Sequence, residues 1–214
     1  MSEKYEWRKQ EKAIYPTRQK PSIVELSPQN FITITGQGDP NQPEFSRRIA
    51  ALYAISYTIK MAPKKAINFA GAFDYTVFPL EAFWTLPAGF SGEVKDHKEM
   101  LQYKMMLKQP EFVTPTVFAQ AKELAAAKIP TDLVPKLNLE TISEGLVAMQ
   151  LHVGPFDNEP ASFAKLQTYL DSAGYRRTSL AHKEIYLSDF RRTAPEKLKT
   201  ILRVSVAKVA APTA

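Results

Sequence analysis

The residues most able to do chemistry lie on one short run, HKEIYLS at 182–188. With a period of two, His182, Glu184, Tyr186 and Ser188 share one face of a strand, and Lys183, Ile185 and Leu187 share the other. An imidazole, a carboxylate and a phenol on one face can hold a cation or move a proton. The apolar pattern sets Ile185 and Leu187 against a helix carrying Phe163 and Leu166, which turns Glu184 to the opposite face. In one reading that face lines a cleft, where a partly desolvated carboxylate seeks a cation. In the other it is an open sheet surface, and Glu184 is a plain surface charge.

A second grouping favours the cleft. Around Glu81, the segment YTVFPLEAFW at 75–84 gathers Tyr75, Phe78, Phe83 and Trp84 about a single carboxylate. Flat lipophilic cations gain from aromatic faces and from one buried counter-charge. Parity sets Glu81 with Phe83 and away from Trp84, unless Pro79 bulges the strand. Tyr53 and Tyr57 stand four apart on a helix, off its apolar stripe, either at a cleft rim or in solvent. His152 shares a strand face with Gln150 and Ala148 and reads as a hydrogen-bonded structural histidine.

Other chemistries lack their residues. The chain has no Cys, so disulfide scaffolds, thiolate zinc sites and cysteine nucleophiles are excluded. Its 3 histidines are scattered, which excludes a multi-histidine cage, and no metal or cofactor is expected. There is no GxSxG elbow or P-loop, and the glycines at 36 and 38 lack the third glycine of a dinucleotide loop.

The elements that position these residues come in a repeated order. Residues 1–30, with Pro16, Pro21 and Pro28, read as an extended arm. FITIT at 31–35 alternates as a strand and ends in the GQGDPN loop at 36–41, with Asn41 as a helix cap. Phe45, Ile49, Leu52, Ser56 and Ile59 follow at helical spacing. Strands are predicted at about 73–86 and 100–107, joined across Gly89 and Gly92, and then a helix at about 115–128. The order returns with a strand at 146–153, the GPFDNEP loop at 154–160, a helix from Pro160 to Gly174, and strands at 183–187 and 201–206. The fold expected is α+β: two strand–helix–strand–strand halves, about 31–110 and 145–206, and a tail at 207–214. Antiparallel sheets carry the helices on one face. A pseudo-twofold sets the free faces around a central ligand cleft.

With 44% of its residues hydrophobic and 23% charged, the chain is globular rather than disordered. The MSEKYEWRKQEKA start lacks the apolar core of a secretory signal, and no run is long and apolar enough to span a membrane. A cytoplasmic protein is expected. The net charge of +6 is diffuse, with Arg191–Arg192 and Lys197/Lys199 as the only dense spots, and no direct nucleic-acid contact is expected.

Several motifs together resemble the GyrI-like small-molecule-binding family, which is related to the effector-binding domains of MerR-type multidrug regulators. They are GxGDPN at 36–41, LYxxSYxxK at 52–60, PLExxW at 79–84, LHxGPxDxEP at 151–160 and HxEIYLSDxRRTAPEKLKTILR at 182–203. The resemblance implies the duplicated fold and the binding of bulky hydrophobic, aromatic or cationic small molecules by aromatics and a buried glutamate. It implies that Glu184 is the central carboxylate, with Tyr186, Trp84, Phe156 and Glu81 around the ligand; Phe83, His182, Tyr53 and Tyr57 are expected as further wall residues from their own strand and helix positions. Some stand-alone members look like hydrolases that open the cyclopropane ring of DNA-alkylating natural products. That would make Glu184 a general base assisted by Tyr186 or Glu81. Phe156 stands where the family often has Tyr, and Thr85 where a second Trp is common; these changes remove a phenol donor and thin the aromatic wall. The thirty residues before the first strand are too few for a helix-turn-helix module.

Overall fold

In the computed structural model, which describes residues 3–91, 93 and 96–210, the chain divides into two units that it enters alternately. The first holds Met1–Gln10 and Gln29–Ile142, and the second Glu11–Pro28 and Ser143–Ala214. Gly92 and the last four residues of the expected tail lie outside the described residues.

The first unit opens with a single helical turn, α1 (Trp7–Gln10), whose Trp7 Nε1 donates to the Val77 carbonyl at 3.0 Å. Its sheet has β2 (Gln29–Gln37) between β4 (Gln102–Lys108) and β5 (Asn138–Ile142), with β3 (Leu80–Thr85) on the far side of β4; all pairs are antiparallel. β3 is shorter than predicted, because Pro79 has no N–H to give a ladder and stops the strand at its start instead of bulging it. The expected parity therefore holds. Leu80, Ala82 and Trp84 share a face with Ile32, Ile34, Met105 and Leu107, while Glu81 and Phe83 take the other.

Helix α2 (Pro43–Met61) covers the first of these faces and buries Phe45, Ile49, Leu52, Ser56 and Ile59, the predicted stripe. Its N-cap is Gln42 rather than Asn41, and Pro43 takes the first helical position, where its missing N–H costs nothing. Helix α3 (Pro115–Ala125) packs on α2, and its Thr114 cap accepts from the Val117 N–H at 3.3 Å.

The second unit repeats the plan. β6 (Gly145–Val153) lies between β9 (Lys199–Lys208) and β1 (Ser22–Leu26), and β8 (His182–Tyr186) lies on the far side of β9. The short β7 (Tyr175–Arg177) pairs with the C-terminal end of β9. Residues 22–26, expected in an arm, are thus a sheet strand, paired from Ser22 on Met149 to Leu26 on Gly145. Helix α4 (Glu159–Ala173) ends on Gly174, whose φ of 74° is the left-handed cap that glycine adopts without strain. Leu166 and Leu170 of α4 bury against Ala148, Val204 and Val206, each contributing roughly 1.5–3 kcal/mol.

The strand order β3–β4–β2–β5 of one unit matches β8–β9–β6–β1 of the other. Within each unit the strand pairs are antiparallel and the fold is α+β, with strand–helix–strand–strand repeated as expected. β5, β7 and β1 are additions that the sequence reading did not include. Among the described residues no helix is long and apolar enough to cross a membrane.

Candidate functional site

Register decides which side chains meet α4. Ala148 pairs with Val204, and both touch Leu166 and Leu170 of the helix. Counting by twos along paired strands puts Gln150, His152, Thr200, Leu202, His182, Glu184 and Tyr186 on this same face. The sequence expectation is therefore corrected: Glu184 lies on the helix side of its sheet, and Ile185 on the other. Ile185 is fully buried as well, together with Met149, Ile201 and Lys183, so both faces of β8 are covered and apolarity does not mark the helix side.

Under the start of α4 three ionisable groups converge. His182 Nε2 lies 3.1 Å from Glu184 Oε1, and ligand atoms of Glu159, His182 and Glu184 all fall within 4.8 Å of one another. Glu159 is 7% exposed and Glu184 9%. Glu159 is the first residue of α4, where the helix N-terminus favours an anion. Burial and the charge of Glu184 outweigh that preference and hold the Glu159 carboxyl well above the ordinary range. Its Oε1 is buried without a hydrogen-bond partner, and so is the Oε1 of Gln150 on the same sheet face. The His182 ring is held edge-on by Phe163, with centroids 5.0 Å apart.

Beside the carboxyl pair stand three aromatics. Tyr186 meets Phe156 at 6.0 Å and Phe190 at 5.6 Å, and those two meet each other at 6.2 Å, all edge to face or nearly so. His152 is structural, as expected: its ring nitrogens bond Ser162 Oγ at 2.9 Å and the Pro155 carbonyl at 3.0 Å, fixing the loop that leads into α4.

Of the residues singled out from the sequence, Glu184, Tyr186, His182 and Phe156 thus come together in the second unit. Glu81, Phe83, Trp84, Tyr53 and Tyr57 belong to the first. Trp84 lies in that unit's core, stacked on Phe45 at 5.7 Å and edge-on to Tyr103 at 5.3 Å. Phe83 lines a depression of about 510 Å³ with Thr35, Gln102, Tyr103 and Lys104. Glu81 is buried, and Tyr57, 51% exposed, pairs with Tyr53 at 6.0 Å.

Sequence reasoning missed Glu159 and Phe190. Glu159 sits in the GPFDNEP loop motif, where an acid ahead of a helix reads as an ordinary first-turn charge. Only the pairing of β6, β8 and β9 shows that this turn closes over Glu184.

The second unit thus holds a buried acidic pair flanked by rings on a duplicated α+β scaffold. The chain belongs to the GyrI-like small molecule binding domain family, whose model matches residues 19–207. It is similar over most of its length to two proteins of Listeria innocua. An uncharacterized conserved protein shares 37% identity with a TM-score of 0.88, covering 95% of this chain and 100% of its own. A protein described as a hydrolase shares 34% with a TM-score of 0.85 over the same shares. The C-terminal domain of EcmrR, 14% identical with a TM-score of 0.50 over 89% of this chain and 98% of its own, shares the fold. Among curated proteins nothing matches.

Proposed function

We propose that this protein is a cytoplasmic binder of bulky lipophilic cations and that the carboxyl pair under the start of α4 takes their charge. The observation that carries this reading is the Glu159–Glu184 pair, more than nine-tenths buried beside Phe156, Tyr186 and Phe190. A carboxyl pair out of water is costly unless a cation or a proton joins it. A flat organic cation supplies the charge and stacks on the rings as well. Membership of a small-molecule-binding family supports the reading.

The test compares a cationic dye, rhodamine 6G, with a neutral one, Nile red, by fluorescence polarisation. Glu184→Gln should weaken the cationic dye at least about tenfold, or 1.4 kcal/mol, and leave the neutral dye nearly unchanged. Equal losses for both dyes would refute charge selection.

A second reading is favoured by the relative described as a hydrolase and by the contact between two carboxyl groups. Glu184 takes a proton from water as the water oxygen bonds a strained cyclopropane carbon. The ring C–C bond breaks, and its electron pair passes into the conjugated acceptor, which Glu159 protonates while Tyr186 polarises it. Mass spectrometry of a cyclopropane-bearing alkylator incubated with the protein should reveal a water adduct. Undiminished turnover in Glu184→Ala would remove Glu184 from the role of base.

A further inference from the structure

We propose that Glu159, His182 and Glu184 form a binding site for one first-row divalent cation of the zinc class, with coordination positions left for water or a ligand atom. This goes beyond the uptake of organic cations. The donors sit on two rigid elements, the first residue of α4 and two same-face residues of β8.

The geometry suits a single ion. Zinc bonds imidazole nitrogen and carboxylate oxygen at about 2.0–2.2 Å, so donors sharing one ion lie roughly 3–4 Å apart. His182 Nε2 and Glu184 Oε1 are 3.1 Å apart, and Glu159 completes a triangle with no side above 4.8 Å. Small side-chain rotations close the difference. Glu159 Oε1, buried and without a hydrogen-bond partner, is an acceptor held ready for a cation. Two carboxylates and a neutral imidazole balance a charge of +2. A mixed N,O,O set favours zinc, manganese, iron(II) or cobalt over calcium and magnesium, which take oxygen shells. Phe163 fixes the imidazole plane.

The duplication provides an internal comparison. β2 ends at Gln37 and α2 starts at Pro43; β6 ends at Val153 and α4 starts at Glu159, the same interval. Aligned so, Gly36 matches His152, and the registers carry the match to Leu80 for His182 and Ala82 for Glu184. Pro43 matches Glu159. One copy of the scaffold fills these positions with apolar residues, so the fold does not need the three ligating groups of the other.

The test uses the full chain dialysed against EDTA and titrated with Zn²⁺ by calorimetry, with Co²⁺ absorption as the second readout. One equivalent should bind, and Co²⁺ should show the intense visible bands of a low-coordinate site. Glu159→Gln and His182→Gln should each weaken binding by at least about tenfold. His97→Ala, which removes the exposed His97–Glu99 pair, should leave binding unchanged. No zinc uptake up to millimolar concentration, a Co²⁺ spectrum like that of the aquo ion, or unchanged binding in both site variants would overturn the proposal. Rhodamine 6G binding to the stripped protein separates the two ideas. Dye uptake without zinc uptake refutes the metal site alone; zinc uptake without dye uptake refutes only the organic-cation reading.

Discussion

At the scale of the residue, Glu159 dominates the behaviour of the site. Its carboxyl keeps its proton to a higher pH in the folded protein than in the unfolded chain, because burial and Glu184 both oppose its charge. The folded state therefore binds more protons than the unfolded one above the ordinary carboxyl range, and stability falls as pH rises, until the raised value is passed. For one proton the slope is at most about 1.4 kcal/mol per pH unit. Urea unfolding of the EDTA-treated protein from pH 5 to 8 should show this decline, and Glu159→Gln should flatten it and be the more stable protein at pH 8. A variant with the same slope as the parent would show that the buried proton is elsewhere. His182, Glu184, Tyr186 and Phe156 were legible in the sequence because they fall on one strand face or in one loop motif. Glu159 was not, since its significance comes from a strand more than twenty residues away.

At the scale of the element, strand parity was readable and strand orientation was not. The alternation in 182–188 sorted its side chains correctly into two faces, yet the helix lies over His182, Glu184 and Tyr186 rather than over Ile185. Apolar residues mark the helix side only when the other face is wet, and Met149, Ile185 and Ile201 on that other face have no exposure. The matching position in the first unit gives a test of packing. A Cβ on Gly36 would come 2.4 Å from the Tyr103 ring, which lies over that glycine and is wedged against Phe45 and Trp84. With the ring held on both sides, Gly36→Ala should cost about 1–3 kcal/mol, measured as a lowered urea midpoint at unchanged m-value. Gly174→Ala has open space around its Cβ but keeps φ at 74°, and should lose about 1 kcal/mol through backbone strain alone.

At the scale of the whole molecule, the interleaved path of the chain governs how it can be divided. The duplication was legible in two Gly/Pro/Asn/Asp loops that each launch a helix, but the partner strands β1 and β5 were not, because each lies just ahead of one repeat in sequence and pairs with the sheet of the other. The second unit draws β1 and the residues before it from the N-terminal side of the first. Its buried charges depend on that segment: Glu144 Oε1 takes Lys183 Nζ at 2.7 Å and Arg203 Nη1 at 3.0 Å, and Arg203 Nη2 reaches the Ile14 carbonyl at 3.2 Å. Removing the shared acid takes a counter-charge from two buried cations, so Glu144→Gln should destabilise by about 3–5 kcal/mol.

A cut at the repeat boundary leaves the same network incomplete. A fragment of residues 143–214 keeps β6, β7, β8, β9 and α4 but exposes the edge of β6 that pairs with residues 22–26, and it takes from Arg203 the carbonyl of Ile14. A core this small has little surplus stability with which to bear the loss of a strand. The fragment alone should therefore lack dispersed amide resonances, and adding a peptide of residues 11–28 should restore them in a saturable titration. Dispersed spectra from the fragment without the peptide would show that the repeat folds as a self-sufficient copy, with β1 a later attachment.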